Sequence, residues 1–176
     1  RFSLCGLNCA LCSMRLSGYC PGCGGGAGNQ SCAIAKCSLE HGGIPFCWTC
    51  PEYPCPRYDG FDDGDSFVPH RNRRQDIALA REVGLEAYLA QLEEKRTILE
   101  QLLAHYNDGR RKTLFNTAVY LLPLEDLRLV TASLSSRPEL EEQPVKERAL
   151  AAVELLQEAA DHRGMSLKLV KKPKKG

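Results

Sequence analysis

All ten cysteines of this chain of 176 residues fall between Cys5 and Cys55, and the rest of the chain has none. They stand at Cys5, Cys9, Cys12, Cys20, Cys23, Cys32, Cys37, Cys47, Cys50 and Cys55. Cys9/Cys12, Cys20/Cys23 and Cys47/Cys50 each have the Cys-x-x-Cys spacing, with which two thiolates of one tight turn reach the same tetrahedral ion. The chemistry this implies is metal ligation. Full thiolate coordination closes an ion to water, so such sites build structure rather than catalyse.

Ten cysteines exceed two four-thiolate sets, and a third site would need His41, His70 or a carboxylate to complete it. His41 is the best histidine candidate, because it lies four residues after Cys37 on an expected short helix capped by Ser31 and would share its face. His105 and His162 lie in helical stretches where packing or exposure explains them. The spacing does not say which cysteines share an ion: Cys9, Cys12, Cys20 and Cys23 could fill one site in sequence, or distant pairs could cross-brace. Cys5 and Cys55 are the hardest to place.

The expected cofactor is zinc, about two or three ions. The alternative is a [4Fe-4S] cluster in an electron-transfer or cluster-carrying protein. Cys5-x-x-x-Cys9-x-x-Cys12 has the spacing of radical enzymes that use S-adenosylmethionine, and Cys20, Cys50 and Cys55 each precede proline, as the last ligand does in bacterial ferredoxin runs. The chain after that motif is helical, however, not a strand-helix barrel. A disulfide framework suits a small secreted module, and a thiol switch usually needs one Cys-x-x-Cys on a βαβ scaffold; three such pairs and no visible secretion signal speak against both.

The elements that must position these thiols are of two kinds. Most of the glycine and proline lies before residue 71, whereas the chain from Gln75 onward is rich in Leu, Ala, Glu, Lys and Arg. The expected fold class is a small irregular, metal-stabilised Cys-rich module followed by an all-α helical bundle. The module covers 1–60, a linker 61–74, the bundle 75–165, and a short strand (SLKLV, 166–170) with a basic tail ends the chain at 176. Gly6 and Asn8 are read as left-handed turn positions, and Pro21-Gly22 as a turn between Cys20 and Cys23. Phe46, Trp48, Tyr53 and Tyr58 are the largest groups able to cover a site. Helices are expected over Gln75–Val83, from Leu85 to near Tyr106, and over Thr113–Leu122, Leu124–Ser135 and Val145–Arg163. The second carries a stripe of Leu85, Leu89, Leu92, Leu99, Leu103 and Tyr106, the last one of Val145, Ala149, Ala152, Leu156 and Ala159.

Two blocks carry a resemblance. CGLNCALC (5–12) and CWTCPEYPC (47–55), with CPGC (20–23) and the pair Cys32 and Cys37 between them, resemble an uncharacterised family of bacterial and archaeal cysteine-rich proteins, a domain of unknown function often described as zinc-binding. NDGRRK and the apolar segment after it, 107–122, resemble longer members. The resemblance implies zinc and brings no reaction with it.

Several function classes lose support. No run of about 18 apolar residues is present, and FSLCGLNCALCSM is too broken for a signal-peptide core, so a cytoplasmic location is expected. The acidic loop from Asp59 has Phe61 and His70 at the third and twelfth positions of a calcium loop, which do not suit calcium. GCGGGAG lacks the lysine of a phosphate loop, and no acid–base pair of carboxylates stands out. The chain is therefore read as acting through binding rather than catalysis. Basic clusters at Arg71–Arg74, Arg110–Lys112 and Lys171–Lys175 could contact phosphates, but acidic residues outnumber basic ones over 75–167. A protein partner is expected before nucleic acid.

Overall fold

The computed structural model describes residues 2–23 and 32–171. Ser31, expected to cap the first helix after the glycine run, and most of the basic tail lie outside the described residues. Among those residues there are seven α-helices and no strand: α1 Ser13–Leu16, α2 Ala33–Glu40, α3 Arg73–Glu82, α4 Leu85–His105, α5 Lys112–Leu121, α6 Leu124–Ser135 and α7 Val145–His162. Short 3-10 turns at Cys9–Leu11, Cys47–Thr49 and Pro56–Tyr58 carry or adjoin cysteines.

The chain divides into two units, one made of Arg1–Leu92 with Leu169–Gly176, the other of Glu93–Lys168. This differs from the segments read in the sequence: the division falls inside α4, and α3 belongs with the cysteines. Residues 61–74, read as a solvated linker, are instead folded into the first unit. Val68, His70 and Arg73 are buried there, because the acidic residues of this stretch bind groups within it. Asp62 receives both the Nε and Nη2 hydrogens of Arg73 at 2.7 Å, and Asp65 accepts from the His70 backbone amide at 2.8 Å. The expected strand 166–170 does not form. The Val170 amide donates to the Asp65 carboxylate at 2.7 Å, and the Asp65 amide donates to the Val170 carbonyl at 2.8 Å. A side chain thus takes the place of a second strand.

One apolar cluster of the first unit is largely aromatic. Phe2, Ile77, Ala80 and Tyr88 are buried together, with Phe46, Trp48 and Tyr53 packed against them. Phe46 and Trp48 stack with centroids 4.2 Å apart, and Phe2 lies 5.2 Å from Trp48 and 4.9 Å from Tyr88. Gly6 has φ +87°, and a Cβ there would come within 2.5 Å of Ile77, so close approach and left-handed backbone both demand glycine. Asn8, expected to share that conformation, has φ −81°. Its importance lies in its side chain: it accepts from the Tyr88 hydroxyl at 3.0 Å and donates to Asp76 at 3.0 Å. Burial, with the Asp76 charge nearby, pushes the Tyr88 phenol well above its usual range and keeps it a donor. Asn8→Ala is expected to lower stability by about 1–3 kcal/mol, because buried polar groups lose a shared partner. A urea titration followed by the fluorescence of Trp48, the only tryptophan, measures it.

The stripe expected along α4 is rotated at its start. Leu85 and Leu89 are exposed, and the buried residues are Tyr88, Leu92, Ile98, Leu99 and Leu102, because Tyr88 follows Phe2 and Asn8 inward. In the second unit α5 is apolar nearly all round and wholly buried from Phe115 to Leu121. α7 contributes Ala149, Ala152, Leu156 and Ala160, small residues that admit close packing, and α6 contributes Leu127, Val130 and Leu134. Lys95 donates to the Leu122 carbonyl at 2.6 Å, satisfying a carbonyl left over at the end of α5. Arg163 ties α7 to Glu125 and Asp126 at the start of α6.

Candidate metal centre

The first unit places its thiols on turns rather than on long elements. The Cys12 amide donates to the Cys9 carbonyl at 3.2 Å, and the Cys50 amide to the Cys47 carbonyl at 2.9 Å, which brings each Cys-x-x-Cys pair onto one turn. At Pro21-Gly22 the backbone turns through φ +81° at Gly22, whose amide donates to the Cys20 sulfur at 3.4 Å. The Cys47 amide is fixed by the Leu4 carbonyl at 2.8 Å, so the closing block is pinned beside the opening one. All ten cysteines are free thiols, with Cys5 buried and the others half-buried.

Two neighbourhoods emerge. In the first, the Ser3 hydroxyl lies 3.2 Å from the Cys5 sulfur, and the thiols of Cys9 and Cys23 share a hydrogen bond. That bond, together with burial and the neighbouring thiols, pushes the Cys9 thiol far up, while burial lifts Cys5 to about 11. In the second, Cys37, Cys47, Cys50 and Cys55 line one cavity of about 310 Å³, together with His41, Tyr53, Arg57 and Tyr58. Burial raises the Cys47 thiol, the neighbouring Tyr58 hydroxyl opposes that, and the charges of Cys37, Cys55 and Cys50 add to the rise. Among the described residues no three His, Cys, Asp or Glu side chains come together tightly enough to hold an ion as they stand.

The donor chemistry of the second neighbourhood nonetheless suits a thiophilic ion. Four cysteines line one space, and the buried hydroxyl of Tyr58 in its wall has no hydrogen-bond partner among the described residues. In the sequence Tyr58 reads only as an apolar cover and Ser3 carries no signal; an isolated tyrosine or serine in a loop has no pattern that spacing could flag. Trp48, also read as a cover, belongs to the aromatic core with Phe2 and Phe46.

The histidines separate clearly. His41 Nδ1 lies 2.8 Å from the Cys37 carbonyl and 3.6 Å from the Cys37 sulfur, so the expected helical proximity is present. His70 is buried with Nδ1 2.8 Å from the Phe61 carbonyl and Nε2 3.0 Å from the Ser66 hydroxyl; both nitrogens are committed, and it is not positioned as a ligand. The basic cluster at 71–74 is likewise engaged internally. Arg71 pairs with Asp65 at 3.0 Å, and Arg73 and Arg74 both pair with Asp62, at 2.7 and 3.3 Å.

No family model matches the chain, and no curated protein or solved structure shows significant similarity to it. No helix among the described residues is long and apolar enough to cross a membrane.

Proposed function

We propose that this chain is a zinc-binding protein whose cysteine-rich unit is held by structural thiolate sites, and that it works as a binding or adaptor protein rather than as an enzyme. The observation that carries this reading is the convergence of Cys37, Cys47, Cys50 and Cys55 on one cavity. Thiolates from tight turns are the usual ligands of structural zinc, and closing such a site supplies folding energy. The zinc would hold residues 2–60 together, with no chemistry on a substrate. The internal pairing of Arg71, Arg73 and Arg74 favours a protein partner over a phosphate backbone. The resemblance of the two cysteine blocks to a zinc-associated family of unknown role agrees with this.

An iron-sulfur cluster is the second reading, favoured by the size of the cavity, about 310 Å³, and by the prolines that follow Cys20, Cys50 and Cys55. Elemental analysis and a visible spectrum of protein purified without oxygen separate the two. Zinc with no colour is the expected result. Iron with sulfide and a brown, air-sensitive colour would replace zinc by the cluster, and metal-free folded protein would end both readings.

A further inference from the structure

We propose that Cys37, Cys47, Cys50 and Cys55 share a single ion in one closed four-thiolate site, with the Tyr58 hydroxyl donating to the Cys47 thiolate and His41 outside the ligand set. The assignment rests on the metal reading and goes further, since spacing alone leaves open which cysteines belong together.

Three local structures converge here. Cys37 lies on α2, Cys47 and Cys50 bound the 3-10 turn 47–49, and Cys55 directly precedes the turn Pro56–Tyr58. All four sulfur-bearing residues line the same cavity, whose apolar wall includes Ile34, Ile44 and Pro56. Four thiolates complete the tetrahedron of zinc and leave no open position. A fifth donor is not required, and His41 Nδ1 lies 2.8 Å from the Cys37 carbonyl at the C-terminal end of α2. There it holds the turn that presents Cys37.

Tyr58 supplies the orientation. Its hydroxyl is buried and has no hydrogen-bond partner among the described residues in the wall it shares with Cys47; a Cys47 thiolate would give it an acceptor, since a thiolate accepts a hydrogen bond more strongly than a thiol. Partners of this kind orient a ligand and tune the metal. A zinc ion with four thiolates carries a net charge of about −2. One cation answers that charge: Arg57 lines the cavity.

The test compares full-length variants, loaded with zinc and separately with cobalt(II), for metal per chain and for the ligand-field bands of tetrahedral cobalt thiolate. Cys37→Ser and Cys50→Ser should each lose one ion per chain, and the double variant should lose no more than either single one. His41→Gln should keep both the stoichiometry and the cobalt spectrum. Tyr58→Phe should keep the stoichiometry while losing affinity in chelator competition by about 10-fold or more. Additive losses in the double variant, or loss of an ion in His41→Gln, would overturn the assignment while leaving the metal reading intact. Wild-type protein that binds neither zinc nor cobalt would overturn both. Should the cysteine variants unfold, Tyr58→Phe decides: unchanged affinity refutes the assignment and weakened binding at full stoichiometry upholds it.

Discussion

Under the proposed zinc sites, stripping the metal from the reduced protein is expected to unfold the cysteine-rich region while the helices of the second unit persist. Structural zinc contributes about 10–16 kcal/mol of apparent binding energy at neutral pH, whereas a whole domain is stable by only about 5–15 kcal/mol. The first unit buries Phe2, Leu4, Leu11, Val68, Ile77 and Tyr88, but a loss of that size equals or exceeds the net stability of a domain. The second unit keeps Phe115, Val119, Leu122, Leu127 and Leu156 wholly buried without any cysteine. A strong chelator should therefore change Trp48 fluorescence and open residues 2–60 to protease, while far-UV circular dichroism retains much of its helical signal. Cys50→Ser should move in the same direction. Full protease protection in protein shown to be metal-free would refute a metal-held fold.

Asp62→Ala should be strongly destabilising, costing about 3–5 kcal/mol, as loss of one partner from a buried ion pair does. Arg73 is only 1% exposed. Besides Asp62 its guanidinium has the Tyr53 hydroxyl at 3.0 Å, the Cys5 carbonyl at 3.4 Å and the Tyr58 ring face, none of which carries the negative charge it needs. Arg73→Met should cost less, since the Asp62 it leaves behind is 23% exposed in its side chain and still within 3.3 Å of Arg74. The double variant should recover part of the Asp62→Ala loss, which a double-mutant cycle in urea reads directly; simple additivity would show that the pair is not coupled.

The same pair gives a pH dependence. Burial raises the Asp62 carboxyl, but the hydrogen bond and charge of Arg73, helped by Arg74, outweigh it and hold the group below its ordinary value. A carboxyl depressed in the folded state stabilises fully above the unfolded value of about 3.9 and loses that contribution as pH falls through the lower folded value. Wild-type protein should therefore lose stability through that acid window more steeply than Asp62→Ala.

The helices of the second unit are legible in the chain because their apolar residues recur at helical spacing and their ends carry Pro123, Pro144 and Gly164. Leu124–Ser135 is observed at the bounds the pattern predicts, and Val145–His162 ends one residue earlier. The Cys37–His41 proximity is similarly local, and local spacing predicts it. What spacing could not decide was everything that depends on contacts far apart in the chain. Asp62 and Arg73 read as two charges in a linker, and only the fold buries one against the other. The α4 stripe pointed to Leu85 and Leu89, but Tyr88 is drawn inward by Asn8, 80 positions away. The grouping of Cys37 with Cys47, Cys50 and Cys55 is likewise invisible in a linear pattern, since a tetrahedral site has no preference for sequence order. The residue types determined which chemistry is open to this chain, and the path of the backbone decided which thiols face the same cavity.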